Sequence, residues 1–124
     1  MDYLTIEDLL DIGEALGVPH VRDLGLLESA LQRPQIVLYG AEMYPTVAEK
    51  CAALLESVLK NPPMLDGNKR LGWAGVSLFL HMNDVTFDPS DEEAFAFVVG
   101  VAGGDIEWKE MVDWFEQRIP ASAR

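Results

Sequence analysis

Apolar residues recur along most of the chain at the three- and four-residue spacing of an amphipathic helix. The pattern predicts six helices, which begin near residues 5, 23, 46, 68, 90 and 105. Two of these starts have the Ser/Thr-x-x-Glu spacing of a capping box, at residues 46–49 and 90–93. Glycine or proline follows the first, second, third and fifth helices and stops each of them. We therefore expect an all-α protein, a compact bundle of about six helices forming a single domain over residues 1–124.

Two segments differ from the amphipathic pattern. Residues 35–45 contain the β-prone run from Ile36 to Tyr39, then Gly40, which allows a turn, and finally Pro45. We expect this segment, called the flap below, to be a small surface hairpin or an ordered loop. The helix from residue 68 to residue 82 is apolar almost all round, which predicts a central helix covered by the others.

The C-terminal third follows the helical pattern up to a short tail. The fifth helix is expected to run through Phe95, Val98 and Val99, and the sixth is expected to start at an Asp105 cap. Residues 120–124 are expected to fray.

Charge and composition limit the classes of partner. Nine basic residues against 21 acidic ones give a net charge of −12, so we expect no direct binding to nucleic acid. A nucleotide would have to be held in a focused pocket with a metal ion. The only cysteine, Cys51, suits a reducing cytoplasm, and the longest uncharged apolar run, residues 71–80, is about half of what a bilayer requires. We expect a soluble cytoplasmic protein with no secretion signal and no membrane segment.

The loop that opens the fourth helix has the strongest chemical pattern in the chain. Glycine lets backbone amides approach an anion, and a helix N-terminus directs unpaired N–H groups toward it. An aspartate supplies a hard oxygen ligand for magnesium, asparagine can orient a phosphate oxygen, and lysine and arginine are charge-assisted donors. The residues concerned are Asp66, Gly67, Asn68, Lys69 and Arg70.

An ordinary helix start would account for the same residues. Asp-Gly is a common turn, Asn68 can serve as an N-cap, and Lys69 and Arg70 can form a solvated first turn. However, two basic residues in a first turn oppose the helix dipole, and local conflicts of this kind tend to mark function.

The loop resembles the core of the Fic/Doc signature, His-Pro-Phe-x-Asp/Glu-Gly-Asn-Gly/Lys-Arg, and Lys69 is typical of the Doc (death-on-curing) branch. The likeness covers nearly the whole chain. It includes residues 23–34, which resemble the family's second helix, residues 44–50, which resemble the start of its third, and residues 78–87.

The resemblance implies a Fic-like fold and a role for each matching position. The phosphate-anchoring loop falls on Gly67, Asn68, Lys69 and Arg70, and the magnesium-associated acid on Asp66. The family's flap falls on residues 35–44 and would position a target peptide beside the nucleotide. Met64 replaces the phenylalanine that pins the loop to the core.

The resemblance also implies a function, a toxin of a toxin–antitoxin pair. Its active form would use ATP and Mg²⁺ to transfer a phosphoryl group to a hydroxyl of a translation elongation factor. Its partner would be a Phd-like antitoxin with a tail that folds on the toxin. Transfer of AMP by the same loop is the alternative enzymatic hypothesis.

One departure from the family affects catalysis directly. Pro62 stands where the family has its general base, a histidine, and proline has no titratable group. Losing a general base typically costs about 10²–10⁴-fold in rate, so we expect this chain to be nearly inactive. A non-catalytic antitoxin-binding module therefore stays open as a third reading. The two histidines, His20 and His81, are not spaced from Asp66 in a way that suggests a substitute base.

Overall fold

The computed structural model describes residues 1–123 as a bundle of six α-helices with one small hairpin. The helices are α1 (Ile6–Ala15), α2 (Leu24–Gln32), α3 (Val47–Lys60), α4 (Asn68–Met82), α5 (Asp91–Ala102) and α6 (Trp108–Arg118). The antiparallel hairpin pairs β1 (Val37–Leu38) with β2 (Ala41–Glu42), and 3₁₀ turns cover Arg33–Gln35 and Ala121–Ala123. The predicted all-α bundle with a small β-prone flap is confirmed.

The centre of the bundle is α3, and not α4 as the sequence pattern predicted. Ten of the 14 residues of α3 are buried, against six of the 15 in α4. α3 packs against α2, α4, α5 and α6, whereas α4 packs against α1, α3 and α5. The buried residues of α3 include three alanines, whose small side chains let neighbouring helices approach on several sides.

Two glycines place α4 close to its neighbours. A Cβ atom at Gly72 would lie 3.1 Å from Leu55 Cδ1 on α3, and one at Gly75 would lie 3.3 Å from Leu9 Cδ2 on α1. The absence of a side chain at both positions therefore seats α4 in the groove between α1 and α3, and this seating fixes where its N-terminus points.

The last helix starts later than predicted. The N-cap of α6 is Glu107, whereas Asp105 belongs to the turn that ends α5. In that turn the amides of Asp105 and Ile106 both donate to the carbonyl of Gly100, so the C-terminal cap of α5 uses these two residues.

The C-terminal third leaves two apolar side chains of α5 on the surface. Phe95 and Val99 are 72% and 41% exposed, because α5 has more apolar positions than its core-facing side can hold. Beyond the buried Ile119, residues Ala121–Ala123 form a 3₁₀ turn, and fraying of this tail stays a prediction. Arg124, the last residue of the tail expected to fray, lies outside the described residues. Within residues 1–123 the helices are too short or too polar to cross a membrane.

Candidate functional site

The loop between α3 and α4 is held by backbone contacts with the segment between α1 and α2. α3 stops at Lys60, because the two prolines that follow restrict the preceding backbone and remove donors. Val21 and Met64 form an isolated antiparallel bridge. The amide of Leu65 donates to the carbonyl of His20 at 3.0 Å. The loop thus runs beside residues 20–23 and reaches α4 in a fixed position.

Met64 and Asn68 hold the loop in place, Met64 by burial of its side chain and Asn68 by hydrogen bonds to the backbone. Met64 is 2% exposed, which fits the expected role of an apolar pin. The side chain of Asn68 accepts from the Met64 amide at 3.0 Å and donates to the Met64 carbonyl at 3.1 Å. Asn68 therefore braces the loop, and its second amide hydrogen is the one left to meet a phosphate oxygen.

Position 67 requires glycine for two reasons, its left-handed backbone conformation and the lack of room for a side chain. Its φ of 76° lies in the left-handed region, and a Cβ atom there would lie 2.5 Å from Val18 Cγ1. Gly67 is also the N-cap of α4, the place that the ordinary reading of the loop gave to Asn68. Its amide donates to Asp66 Oδ1 at 2.7 Å, which orients that carboxylate beside the helix start.

No side chain caps the N-terminus of α4, in contrast to α1, α3 and α5, which each begin with a capping box. Lys69 and Arg70 are both exposed in the first turn of α4. The ion pairs found within residues 1–123 involve other cations, namely Arg33, Lys50 and Arg118. Positive helix potential, backbone donors and two exposed basic groups therefore meet at one point, which is an arrangement that favours an anion.

This helix start opens onto a cleft of about 440 Å³ between α4 and α5. Its polar end is formed by the loop and the first turn of α4, and its other wall is largely apolar. The lining residues are Asp66, Gly67, Asn68, Lys69, Arg70 and Trp73, then Asp91, Ala94, Phe95, Val98 and Val99. The structure thus brings together all the residues predicted to bind the phosphates and the metal.

The α5 wall of the cleft was missed by sequence reasoning. The sequence placed Phe95 and Val99 on the fifth helix but did not indicate that both are exposed and line the cleft. A signal was present, since residues 94–101 contain more adjacent apolar positions than one buried face can use.

The oxygen groups at the cleft suit a magnesium ion that is also coordinated by the phosphates of a bound nucleotide. Among residues 1–123 there is no group of three or more His, Cys, Asp or Glu side chains that could hold a metal ion. Magnesium commonly uses one or two carboxylates together with substrate phosphates, and the exposed carboxylate of Asp66 lies beside the anion-binding helix start. The residues present therefore fit a magnesium ion that arrives with a nucleotide.

Position 62 is anchored through its backbone. Pro62 is partly buried, and its carbonyl oxygen accepts hydrogen bonds from Nε of Arg22, at 3.0 Å, and from Nη2 of the same guanidinium. Arg22 was not singled out from the sequence, where an isolated arginine before a helix cap resembles any solvated residue. The side chain at position 62 has no group that could accept a proton.

Of the two histidines, His20 lies beside the loop and His81 lies away from it, near the end of α4. His81 is exposed near the end of α4, beside a second cavity that Ser77 and Asp84 also line. His20 is exposed, but its backbone lies against the loop through the bond to Leu65. Sequence spacing alone did not indicate this neighbourhood.

Comparison with known proteins agrees with this architecture. Residues 3–80 match the model of the Fic/DOC family. Over 86 residues the chain is 46% identical to a protein of Mycolicibacterium smegmatis named Toxin Doc, and the match covers 68% of this chain and 66% of that protein.

The chain belongs to the Fic/DOC family. Its similarity to Toxin Doc supports the Doc branch indicated by Lys69. The family match includes the loop and most of α4, whereas the α5 wall of the cleft lies beyond it.

Proposed function

We propose that this protein is a Doc-like toxin of a toxin–antitoxin system. Its active form would transfer a phosphoryl group from ATP to a hydroxyl of a translation elongation factor and so block translation. The observation that carries the proposal is the uncapped start of α4, where Gly67, Lys69 and Arg70 face a cleft of about 440 Å³. The 46% identity to Toxin Doc supports the same class.

Each residue of the loop has a role in this proposal. The backbone at Gly67 and the first turn of α4 bind the phosphates, and Lys69 and Arg70 neutralise their charge. Asp66 would hold a magnesium ion that arrives with ATP and neutralises the phosphate oxygens. In phosphoryl transfer, positioning and electrostatic stabilisation supply most of the rate, and in this proposal the loop supplies both.

Proton transfer is the part that this chain lacks. The attacking hydroxyl must lose a proton, and Pro62 offers no acceptor for it. We propose that the chain binds nucleotide and modifies its target at a rate about 10²–10⁴-fold below that of a histidine-bearing form. Binding and proton transfer depend on different residues, so the first can persist without the second.

The proposed partner is a Phd-like antitoxin. The exposed apolar side chains of Phe95 and Val99 beside the cleft offer contacts for the apolar face of a helical tail. This wall, together with Pro62, also favours a second candidate function, in which the chain binds an antitoxin without catalysis.

Substitution Pro62→His tests the catalytic proposal. We expect the variant to inhibit growth and to modify the elongation factor only when ATP is present. Pro62→Ala is the matched control, because it removes the same ring without adding a base. A phosphate adduct in the mass spectrum of the target supports phosphoryl transfer, and an AMP adduct supports the alternative chemistry. If Pro62→His folds, binds ATP and modifies nothing, the non-catalytic function replaces the enzymatic one.

A further inference from the structure

Lys50, on α3, is the one charged residue that is buried among residues 1–123. It is 3% exposed and shares the apolar face of α3 with Val47 and Leu54, three residues before it and four after it. A buried ammonium is costly unless it is paired and hydrogen-bonded. A lysine at such a position therefore needs hydrogen-bond acceptors or a negative charge close to its ammonium group.

The partners of Lys50 lie at the two ends of the flap. Its Nζ atom donates to Glu42 Oε1 at 3.0 Å and to the carbonyl oxygen of Tyr44, and lies 3.5 Å from the carbonyl oxygen of Pro34. Pro34 precedes β1, Glu42 belongs to β2, and Tyr44 follows it. One side chain thus ties the beginning and the end of the flap to the central helix.

Besides Lys50, the C-terminal end of the flap is held by the buried Tyr44, whose hydroxyl accepts from Arg33 Nε at 3.0 Å and whose ring packs against Trp108. The strands themselves have few such contacts. Each strand contains two residues, and all four strand residues are exposed. Tyr39 at the tip is fully exposed. An isolated two-stranded hairpin is marginally stable in water, so its place on the bundle depends on its attachments.

We propose that Lys50 is a positioning residue that holds the flap on α3 through Glu42 and the carbonyls of Pro34 and Tyr44. This inference rests on the proposed function, in which the flap aligns the target segment with the nucleotide cleft. Lys50 and its partners set the position of the flap, whereas the loop at Gly67 sets the position of the nucleotide. The two can then be perturbed separately.

Amide hydrogen exchange tests the attachment without requiring catalysis. We expect Lys50→Met to speed the exchange of flap amides by about tenfold or more, including the Met43 amide, which donates to Ile36 at 2.9 Å. Amides of α4 should exchange as in the unaltered protein. Lys60→Met is the matched control, since Lys60 is an exposed lysine at the end of the same helix.

A second variant covers the case in which Lys50→Met does not fold. Glu42→Gln removes the charged partner from a side chain that is about half exposed, and we expect a smaller acceleration confined to the flap. Because Glu42 acts through Lys50, the double variant should exchange like Lys50→Met alone. Unchanged flap exchange in Glu42→Gln and in any folded Lys50→Met protein would overturn the proposal.

The effect of the flap attachment on catalysis is measured in the Pro62→His variant. There Glu42→Gln should raise the KM for the elongation factor several-fold while the KM for ATP stays the same, a split that general destabilisation would not produce. Equal KM values for the target would count against a positioning role. If Pro62→His itself modifies nothing, the proposed function fails, and the exchange measurement still decides whether Lys50 holds the flap.

Discussion

The guanidinium of Arg22 donates from Nε and Nη2 to the carbonyl oxygen of Pro62, 40 residues further along the chain. The backbone amide of Arg22 also donates to the carbonyl of Pro63 at 2.8 Å. Both contacts involve the backbone of the loop, so they do not depend on the side chain at position 62. A histidine introduced there would be attached to the same anchor.

We therefore expect Arg22→Ala, in the Pro62→His background, to lower kcat by about ten- to a hundredfold, because misplacing a catalytic group by about 1 Å can cost a factor of that size. ATP affinity should not change, since the loop from Asp66 onward is held by other contacts. Steady-state kinetics with calorimetry measure both quantities. A kcat equal to that of the Pro62→His parent would show that this anchor is dispensable.

Gly67→Ala is expected to destabilise the protein strongly. A left-handed conformation costs a residue with a side chain about 1–2 kcal/mol, and the overlap with Val18 adds about 1–3 kcal/mol. Gly17→Ala is the matched control, because Gly17 has a similar φ of 75° and open space around it. Urea unfolding should give a clearly larger loss of free energy for Gly67→Ala, and equal losses would argue against the close contact with Val18.

ATP with magnesium should bind to the unaltered chain. Arg70→Ala and Asp66→Ala should each weaken binding about 10–100-fold, the range expected when a charge-assisted contact is removed. Lys109→Ala serves as a control, since it removes one positive charge from an exposed position on α6. Chelating the magnesium should also weaken binding. Unchanged titrations for both loop variants would remove the nucleotide from this site.

The ion pair between α5 and α6 should stabilise the fold in a pH-dependent way. The pKa of Glu93 is lowered, first by the hydrogen bond from Arg118 and then by the backbone amide of Ser90. A carboxyl group with a lowered pKa stabilises the folded state above its unfolded pKa and loses that contribution as the pH falls through its folded value.

Glu93→Gln should therefore lower the Tm at neutral pH and have a progressively smaller effect as the pH falls through the folded-state pKa of Glu93, because the carboxyl group then becomes protonated. Glu92→Gln changes the net charge equally and leaves the pair with Arg118 in place. A Tm difference for Glu93→Gln that persists in acid would point to packing instead of charge.

Local sequence signals predicted much of the fold. The capping boxes at residues 46–49 and 90–93 are both formed, and α4 begins at its predicted start, Asn68. These signals work because a cap depends on a few adjacent residues. The start of α6 was missed because the cap of the preceding helix uses Asp105, and two overlapping signals cannot be separated by pattern alone.

The candidate site likewise has one part that the sequence predicted and one part that it did not. Residues 66–70 are contiguous, so their common location at a helix start follows from the sequence. The contributions of Arg22, Lys50 and Phe95 depend on which distant segments meet. Lys50 could have been noticed as a lysine on an apolar face, but nothing local indicates that Glu42 and Tyr44 of the flap are its partners.

The tip of the flap has a consequence for how the chain can be assembled. Tyr39, with a φ of 51°, and Gly40 lie on the surface between α2 and α3. A break between them would leave α1 and α2 in one fragment and α3 to α6 in the other, and the surfaces that join the fragments are core contacts of α2 with α3 and of α1 with α4. Two such fragments, made separately, should recombine on mixing, so that the complete bundle and its cleft form only where both halves are present.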